Sequence, residues 1–348
     1  MASLPPTFVK GFHDEQAVQK MEYRDFGKTD MKVSRLAIGG ATLSSLFGEI
    51  NKTTAIETVR LAIKNGINYV DTAPFYGEGE SEQLLGEALK VIPRQSYYLA
   101  TKIGRYSRDF SRMFDYSGKK TRESVEKSLK LLGVDYIDVI QIHDIEFEEP
   151  IDLILKETLP TLETLRKEGK IRYIGVSAYP IGILKECISK AGPGHFDTVL
   201  SYSRYTLIDE TLCDFIPFFK EQNLAIINAA VHGIGILSNN GPQPWHPASE
   251  KLKNQCKKAA EICKQNGVEL GKLAMYYAAQ YQDTDICLVG MATPELLKIN
   301  LDAVLNGLNE KETQILKLIK KEIFIQGNQH WEGVEIKAYK EWKSKNKA

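Results

Sequence analysis

Apolar residues along the 348-residue chain fall into two alternating patterns. Short, nearly continuous apolar runs begin at Val33 (VSRLAIGG), Ile67 (INYVDT), Tyr97 (YYLATKI), Tyr136 (YIDVIQIH), Ile171 (IRYIGVS), Phe196 (FDTVLSY), Leu224 (LAIINAA) and Thr284 (TDICLVG). Runs without strict alternation are the mark of parallel strands covered on both faces. Between them lie longer stretches with apolar residues at helical spacing. NKTTAIETVRLAIKNG is typical, with Asn and Thr as capping candidates at its start and Gly66 as its stop.

Eight strand–helix units in succession predict a (β/α)8 TIM barrel. A doubly wound dinucleotide fold lacks support, because no G-x-G-x-x-G follows the first strand. MEYRDFGKTDMKVSRLAIGG carries a turn signal, GKTD, ahead of the first barrel strand, which predicts an N-terminal β-hairpin able to plug the barrel bottom. NEKETQILKLIKKEI predicts an extra helix after the eighth unit, and the tail from Glu322 reads as a loop.

Composition adjusts this picture little. The chain is 43% apolar and 26% charged, ordinary for a globular protein. Forty-five basic residues balance 45 acidic ones, which argues against a nucleic-acid or anionic-membrane partner. Cys187, Cys213, Cys256, Cys263 and Cys287 are odd in number and form no C-x-x-C, so reduced thiols are expected. No apolar run approaches the roughly 18 residues of a membrane span, and the N-terminus lacks the apolar core of a signal peptide. A cytoplasmic location is expected by elimination. Residues 1–20 read as an extension outside the main fold, and 21–348 as a single barrel domain.

Functional residues of such barrels stand at the C-terminal ends of the strands. The second strand ends at Asp71, with Tyr76 in the loop beyond; the third presents Lys102, the fourth His143 and the fifth Ser177. Each has a plain structural reading: Asp71 as a turn former, Tyr76 as packing, Lys102 as a solvated or paired charge, His143 as a core histidine. Together, on successive strands, they have a chemical one. A phenol, with a free pKa near 10, is brought towards proton transfer by an ammonium beside it, and Lys102 would serve. Asp71 can hold Lys102, and His143 can orient a carbonyl. Tyr76 is then a general acid next to a polarised carbonyl. The hydride that such a reaction needs comes from no side chain, which implies a nicotinamide cofactor.

DTAPFYG, ATKIG and IQIHD, with the opening FGKTDMKVSRLAIGG, resemble the aldo-keto reductase superfamily over about Met21 to Leu308. LLGVDYIDVIQIHDIEF and VLSYSRYTLIDETL are similar to L-galactose and D-arabinose dehydrogenase-like members. The resemblance implies an NAD(P)-dependent oxidoreductase interconverting aldehydes, ketones or aldoses with alcohols, with Asp71, Tyr76, Lys102 and His143 as its tetrad. It implies cofactor contacts from Ser177, Tyr202, His232, Gly290, Thr293, Lys298 and Asn300. The chain departs from the family pattern where Ala178 follows Ser177, where Tyr202 replaces a glutamine, where AVH from Ala230 replaces SPL, and where Leu296 stands at a common arginine position.

The resemblance implies NADP as cofactor; because Lys298 is the lone basic residue of GMATPELLKINLDA, NAD is possible too, and dual use or weak discrimination is expected. The long loop GRYSRDFSRMFDYSGKK and the tail predict a substrate pocket, with Tyr106 and Trp331 as wall candidates. A small carbonyl or alcohol is the partner expected; the oligomeric state is not readable. Two rivals stay open. One is a non-catalytic module that senses the cofactor on the same barrel. The other, a metal-dependent hydrolase, is short of ligands, so no metal is expected.

Overall fold

The eight predicted runs form eight strands of a computed structural model that describes residues 4–346. An N-terminal helix α1 (Glu15–Lys20) precedes an antiparallel hairpin of β1 (Tyr23–Asp25) and β2 (Lys32–Ser34). The barrel strands are β3 (Leu36–Gly39), β4 (Tyr69–Asp71), β5 (Tyr98–Ile103), β6 (Ile137–Ile142), β7 (Ile171–Ala178), β8 (Thr198–Tyr202), β9 (Ala225–Ala229) and β10 (Ile286–Gly290). They close in chain order, all parallel, with β10 beside β3. Between them run α2 (Lys52–Lys64), α3 (Glu80–Leu89), α4 (Gly118–Leu132), α5 (Leu159–Lys167), α6 (Ile181–Ala191), α7 (Ile216–Glu221), α8 (Glu250–Gln265) and α9 (Leu270–Ala279). After β10 come α10 (Pro294–Leu305), α11 (Glu310–Glu322) and α12 (Val334–Lys345).

Helix α2 shows how the local sequence sets an element. Asn51 caps it by accepting from the Thr54 N–H at 3.0 Å, and Gly66 follows its end at φ 95°. Ala55, Thr58, Val59, Ala62 and Ile63, at helical spacing, are the face buried against the barrel.

The hairpin plugs the barrel bottom. Phe26, Met31 and Val33 are buried in one cluster with the inward residues Ala37, Tyr69, Tyr98, Ala100, Val139, Ala225 and Ile227. Gly27, at φ 55°, lies so close to the Ala225 backbone that a Cβ would overlap it. The N-terminal extension is packed onto the barrel rather than standing free of it. Thr7 is buried and accepts from the Asn68 amide at 2.9 Å, and the Asp14 N–H bonds the Lys64 carbonyl. Among the described residues, no helix is long and apolar enough to cross a membrane.

The tail differs from expectation. Residues 334–345 form the helix α12, not a loop. Its Glu335, Ala338, Tyr339 and Trp342 repeat at helical spacing after Gly333, a signal present in the chain.

Candidate active site

Side chains of a strand alternate between faces. Tyr69 on β4, Tyr98 and Ala100 on β5, and Val139 on β6 fill the lower barrel. The next inward positions on the same strands are therefore Asp71, Lys102, Gln141 and, just past β6, His143. Asp71, Lys102 and His143 line a cavity of about 670 Å³ at the C-terminal end of the barrel, together with Tyr76, Ser177, Tyr202, Ala229 and Gly290. Three short runs thus deliver these four polar groups to one end of the barrel because each ends on the same phase of the two-residue repeat.

Lys102 and Asp71 form a buried ion pair, each side chain 2% exposed. Lys102 also donates to the Thr72 carbonyl at 2.8 Å. Gln141, a residue that the strand-end reading passed over, donates to the second Asp71 oxygen at 2.6 Å. Its signal was a lone amide inside an apolar run, two positions before His143. Gly175 makes room for it, since a Cβ there would stand 2.9 Å from the Gln141 Cγ.

Burial alone would lower the pKa of Lys102; Asp71 and Tyr76 outweigh it and hold that pKa above the ordinary value. Lys102 Nζ lies 5.1 Å from the Tyr76 ring centre, and the Tyr76 and His143 rings meet edge to face at 6.0 Å. Burial raises the Tyr76 phenol above its usual value, and the Lys102 ammonium pulls in the opposite direction without cancelling that rise. The lowering expected from Lys102 is thus present but smaller than the effect of burial. Burial, with Lys102 and Arg105 nearby, drops His143 to about 3 against the opposing pull of Asp144, so its imidazole is neutral at ordinary pH.

The rim is built by loops. Arg105, just after β5, bonds Asp144 at 2.7 Å and lies 3.9 Å over the Phe75 ring. Asp144 takes a left-handed backbone (φ 50°), which Asp tolerates better than most residues. Burial works against its charge, yet the Arg105 guanidinium beside it, with Lys102 nearby, keeps its pKa below the ordinary value. Glu335 of α12 reaches the same cavity and sits 3.7 Å from Arg105.

Two wall candidates do not line the cavity. Tyr106 folds back, its hydroxyl accepting from the Gly104 N–H at 2.9 Å under Lys120. Trp331 is buried behind the wall: it stacks on Tyr179, which stacks on the lining residue Tyr202. Phe75, Phe110 and Met113 face the space instead.

Of the residues expected to hold the cofactor, Ser177, Tyr202, His232, Gly290 and Asn300 line the cavity, which extends from Tyr76 past the ends of β9 and β10 to the starts of α9 and α10. Thr293 instead caps α10, accepting from the Leu296 N–H at 3.3 Å, and Lys298 is exposed outside the lining. His232 bonds the Gly271 carbonyl at 3.1 Å, and burial lowers it to about 4, so it brings no positive charge. A nicotinamide dinucleotide fits this shape. The buried Asn300 Oδ1 and Thr42 Oγ1, in residues of the lining, have no partner; the amide oxygen can accept a hydrogen bond from a ligand, and the hydroxyl can accept or donate one. Glu269 enters the same far end; its Oε1 accepts from Asn239 and Gly271 N–H groups.

A model of the Aldo/keto reductase family matches residues 35–321. L-galactose dehydrogenase of Arabidopsis thaliana is 40% identical over 287 residues, 82% of this chain and 88% of that protein. D-arabinose 1-dehydrogenase of Saccharomyces cerevisiae is 31% identical, covering 86% of this chain and 93% of its own. Among solved structures, the holo form of an aldo-keto reductase from Bacillus halodurans superposes with a TM-score of 0.68 at 28% identity, over 86% of this chain and 96% of that one. Barrel, strand-end chemistry and relatives agree: the chain belongs to the aldo/keto reductase family and is an oxidoreductase that interconverts carbonyls and alcohols with a nicotinamide cofactor.

Proposed function

We propose that the chain is an aldose dehydrogenase in which Tyr76 is the general acid and base. The observation that carries this is the convergence of Tyr76, the Lys102–Asp71 pair and neutral His143 at one end of the cavity. The sugar substrates named for the two relatives, L-galactose and D-arabinose, support the substrate class.

When bound, the nicotinamide takes or gives the hydride. In oxidation, Tyr76 takes the hydroxyl proton of the substrate as phenolate. In reduction, its phenol returns that proton to the carbonyl oxygen. Lys102 stabilises the phenolate, Asp71 and Gln141 hold Lys102 in place, and neutral His143 offers a ring N–H to the substrate oxygen. Because the phenol's pKa is raised, the resting group is protonated. Oxidation needs the deprotonated form, so its rate rises towards alkaline pH, whereas reduction stays level on the acid side.

NAD is the cofactor favoured, with NADP accepted less well. Reading a 2′-phosphate calls for Lys or Arg, yet the far end of the cavity is lined by Leu296, Ile299, Asn300 and the carboxylate Glu269, with Lys298 outside it. A carboxylate suits a ribose diol and repels a phosphate. Dissociation constants for NADH and NADPH test this: tighter NADPH binding overturns it, and Glu269→Gln is expected to narrow the gap.

The decisive experiment follows nicotinamide absorbance with L-galactose, D-arabinose and simple aldehydes, in wild type and Tyr76→Phe. General acid catalysis is worth about 10²–10⁴-fold, so Tyr76→Phe should lose that much kcat with cofactor affinity nearly unchanged. Activity within twofold of wild type would remove Tyr76 from this role, and a wild type inactive on every aldose would remove the substrate class.

A further inference from the structure

Arg105 occupies an unusual position. Its guanidinium is sandwiched among Phe75, Phe114 and Phe147, and its Nε is buried without a partner. One arm bonds Asp144, and the other lies 3.7 Å from Glu335, too long for a tight bond. Glu335 in turn stands 3.5 Å from the Tyr202 hydroxyl. These three charged side chains border the cavity that holds Tyr76 and His143. A guanidinium whose second arm is only loosely held, between two carboxylates, supplies donors and acceptors at once, which is what adjacent hydroxyl groups on a neutral molecule require. A plain aldehyde has no use for either.

The carboxylate comes from outside the matched family region, which ends at residue 321. It is delivered by α12, which docks on the loops after β5 and β6 through Tyr339 against Phe110, Phe114 and Phe147 (ring centres 5.7, 5.1 and 5.6 Å) and Trp342 against Phe110 (5.8 Å). Lys340 adds an ion pair to Glu149.

We propose that Arg105, Asp144 and Glu335 form a hydroxyl-reading subsite beside the reacting carbon, and that Glu335 is its specificity-determining residue, selecting polyhydroxylated substrates over plain aldehydes. This rests on the aldose reading above. Arg105 donates to a substrate hydroxyl while held by Asp144, and Glu335 accepts from that hydroxyl or its neighbour.

The test compares wild type, Glu335→Gln and Glu335→Ala on galactose, arabinose and butanal, with galactitol as a competitive inhibitor. A hydrogen bond to a charged group carries enough energy for about a tenfold or larger effect. Glu335→Ala is therefore expected to lower kcat/KM about tenfold on both sugars, mainly through KM, to weaken galactitol inhibition by a similar factor, and to cost less than threefold on butanal. Glu335→Gln, which still accepts a hydrogen bond, should fall in between. Equal losses on sugars and butanal, or unchanged galactitol inhibition, would overturn the subsite. A wild type that reduces butanal but turns over no aldose would instead overturn the aldose reading and the subsite with it. A melting temperature close to wild type separates either result from misfolding.

Discussion

The floor of the cavity and its rim are made in different ways. The floor consists of Asp71, Lys102 and His143, backed by Gln141, four residues held on or just past neighbouring parallel strands and locked by a buried ion pair and a hydrogen bond from the Gln141 amide. The rim consists of Arg105, Asp144 and Glu335, carried by loops and a terminal helix that meet through aromatic rings. A strand cannot shift one of its residues without turning every side chain to the other face, so the floor is rigid. The rim can change by replacing a loop or tail while the barrel stays intact. On the roles proposed above, the chemistry sits on the part of the fold that tolerates least change, and substrate choice on the part that tolerates most.

The contrast can be broken from the floor first. Lys102→Met removes the ammonium and leaves Asp71 buried and unpaired, which should cost about 3–5 kcal/mol of stability as well as most activity. Adding Asp71→Asn should restore much of the stability, read by urea midpoints, and none of the turnover. Recovery of both would show the pair to be structural only.

His143 gives a smaller effect with a definite sign. Its folded pKa of about 3 lies below the ordinary 6.5, so between those values only the unfolded chain takes up the proton. Stability is full above about pH 6.5 and declines as pH falls through that window, by about 1.4 kcal/mol per unit. From pH 7 to 4.5, wild type should lose about 2–3 kcal/mol more than His143→Gln. Parallel pH curves for the two would mean that His143 is not buried neutral.

Gln141→Leu keeps the volume but leaves one Asp71 oxygen without its donor. A loss of about 1.5–3 kcal/mol is the range for hydrogen bonds to charged groups, and the lower end is expected because Lys102 still pairs with Asp71. kcat should drop about tenfold with little change in KM.

Tyr339→Ala sharpens the comparison from the rim. Aromatic pairs are worth about 0.5–1.5 kcal/mol each, and undocking α12 should raise KM for sugars several-fold while kcat and the melting temperature move little. A fall in kcat equal to that of Gln141→Leu would erase the distinction between floor and rim.

The sequence by itself determined the order of eight strands, the plugging hairpin and the inward phase of Asp71, Lys102 and His143, because a strand's two-residue repeat is written locally. It also held the signal for Gln141, whose place on the His143 face follows from the same repeat. What only the tertiary structure decided is who meets whom across long separations. Trp331 turned inward to support Tyr202 through Tyr179 rather than face a substrate, and Tyr106 folded beneath its own loop. Glu335 reached Arg105 across more than two hundred residues of chain, because packed aromatic rings, not any local period, set where α12 lies. The pKa values followed the same division: Lys102 beside Tyr76 predicted a lowered phenol, but burial, a property of the closed barrel, outweighed it.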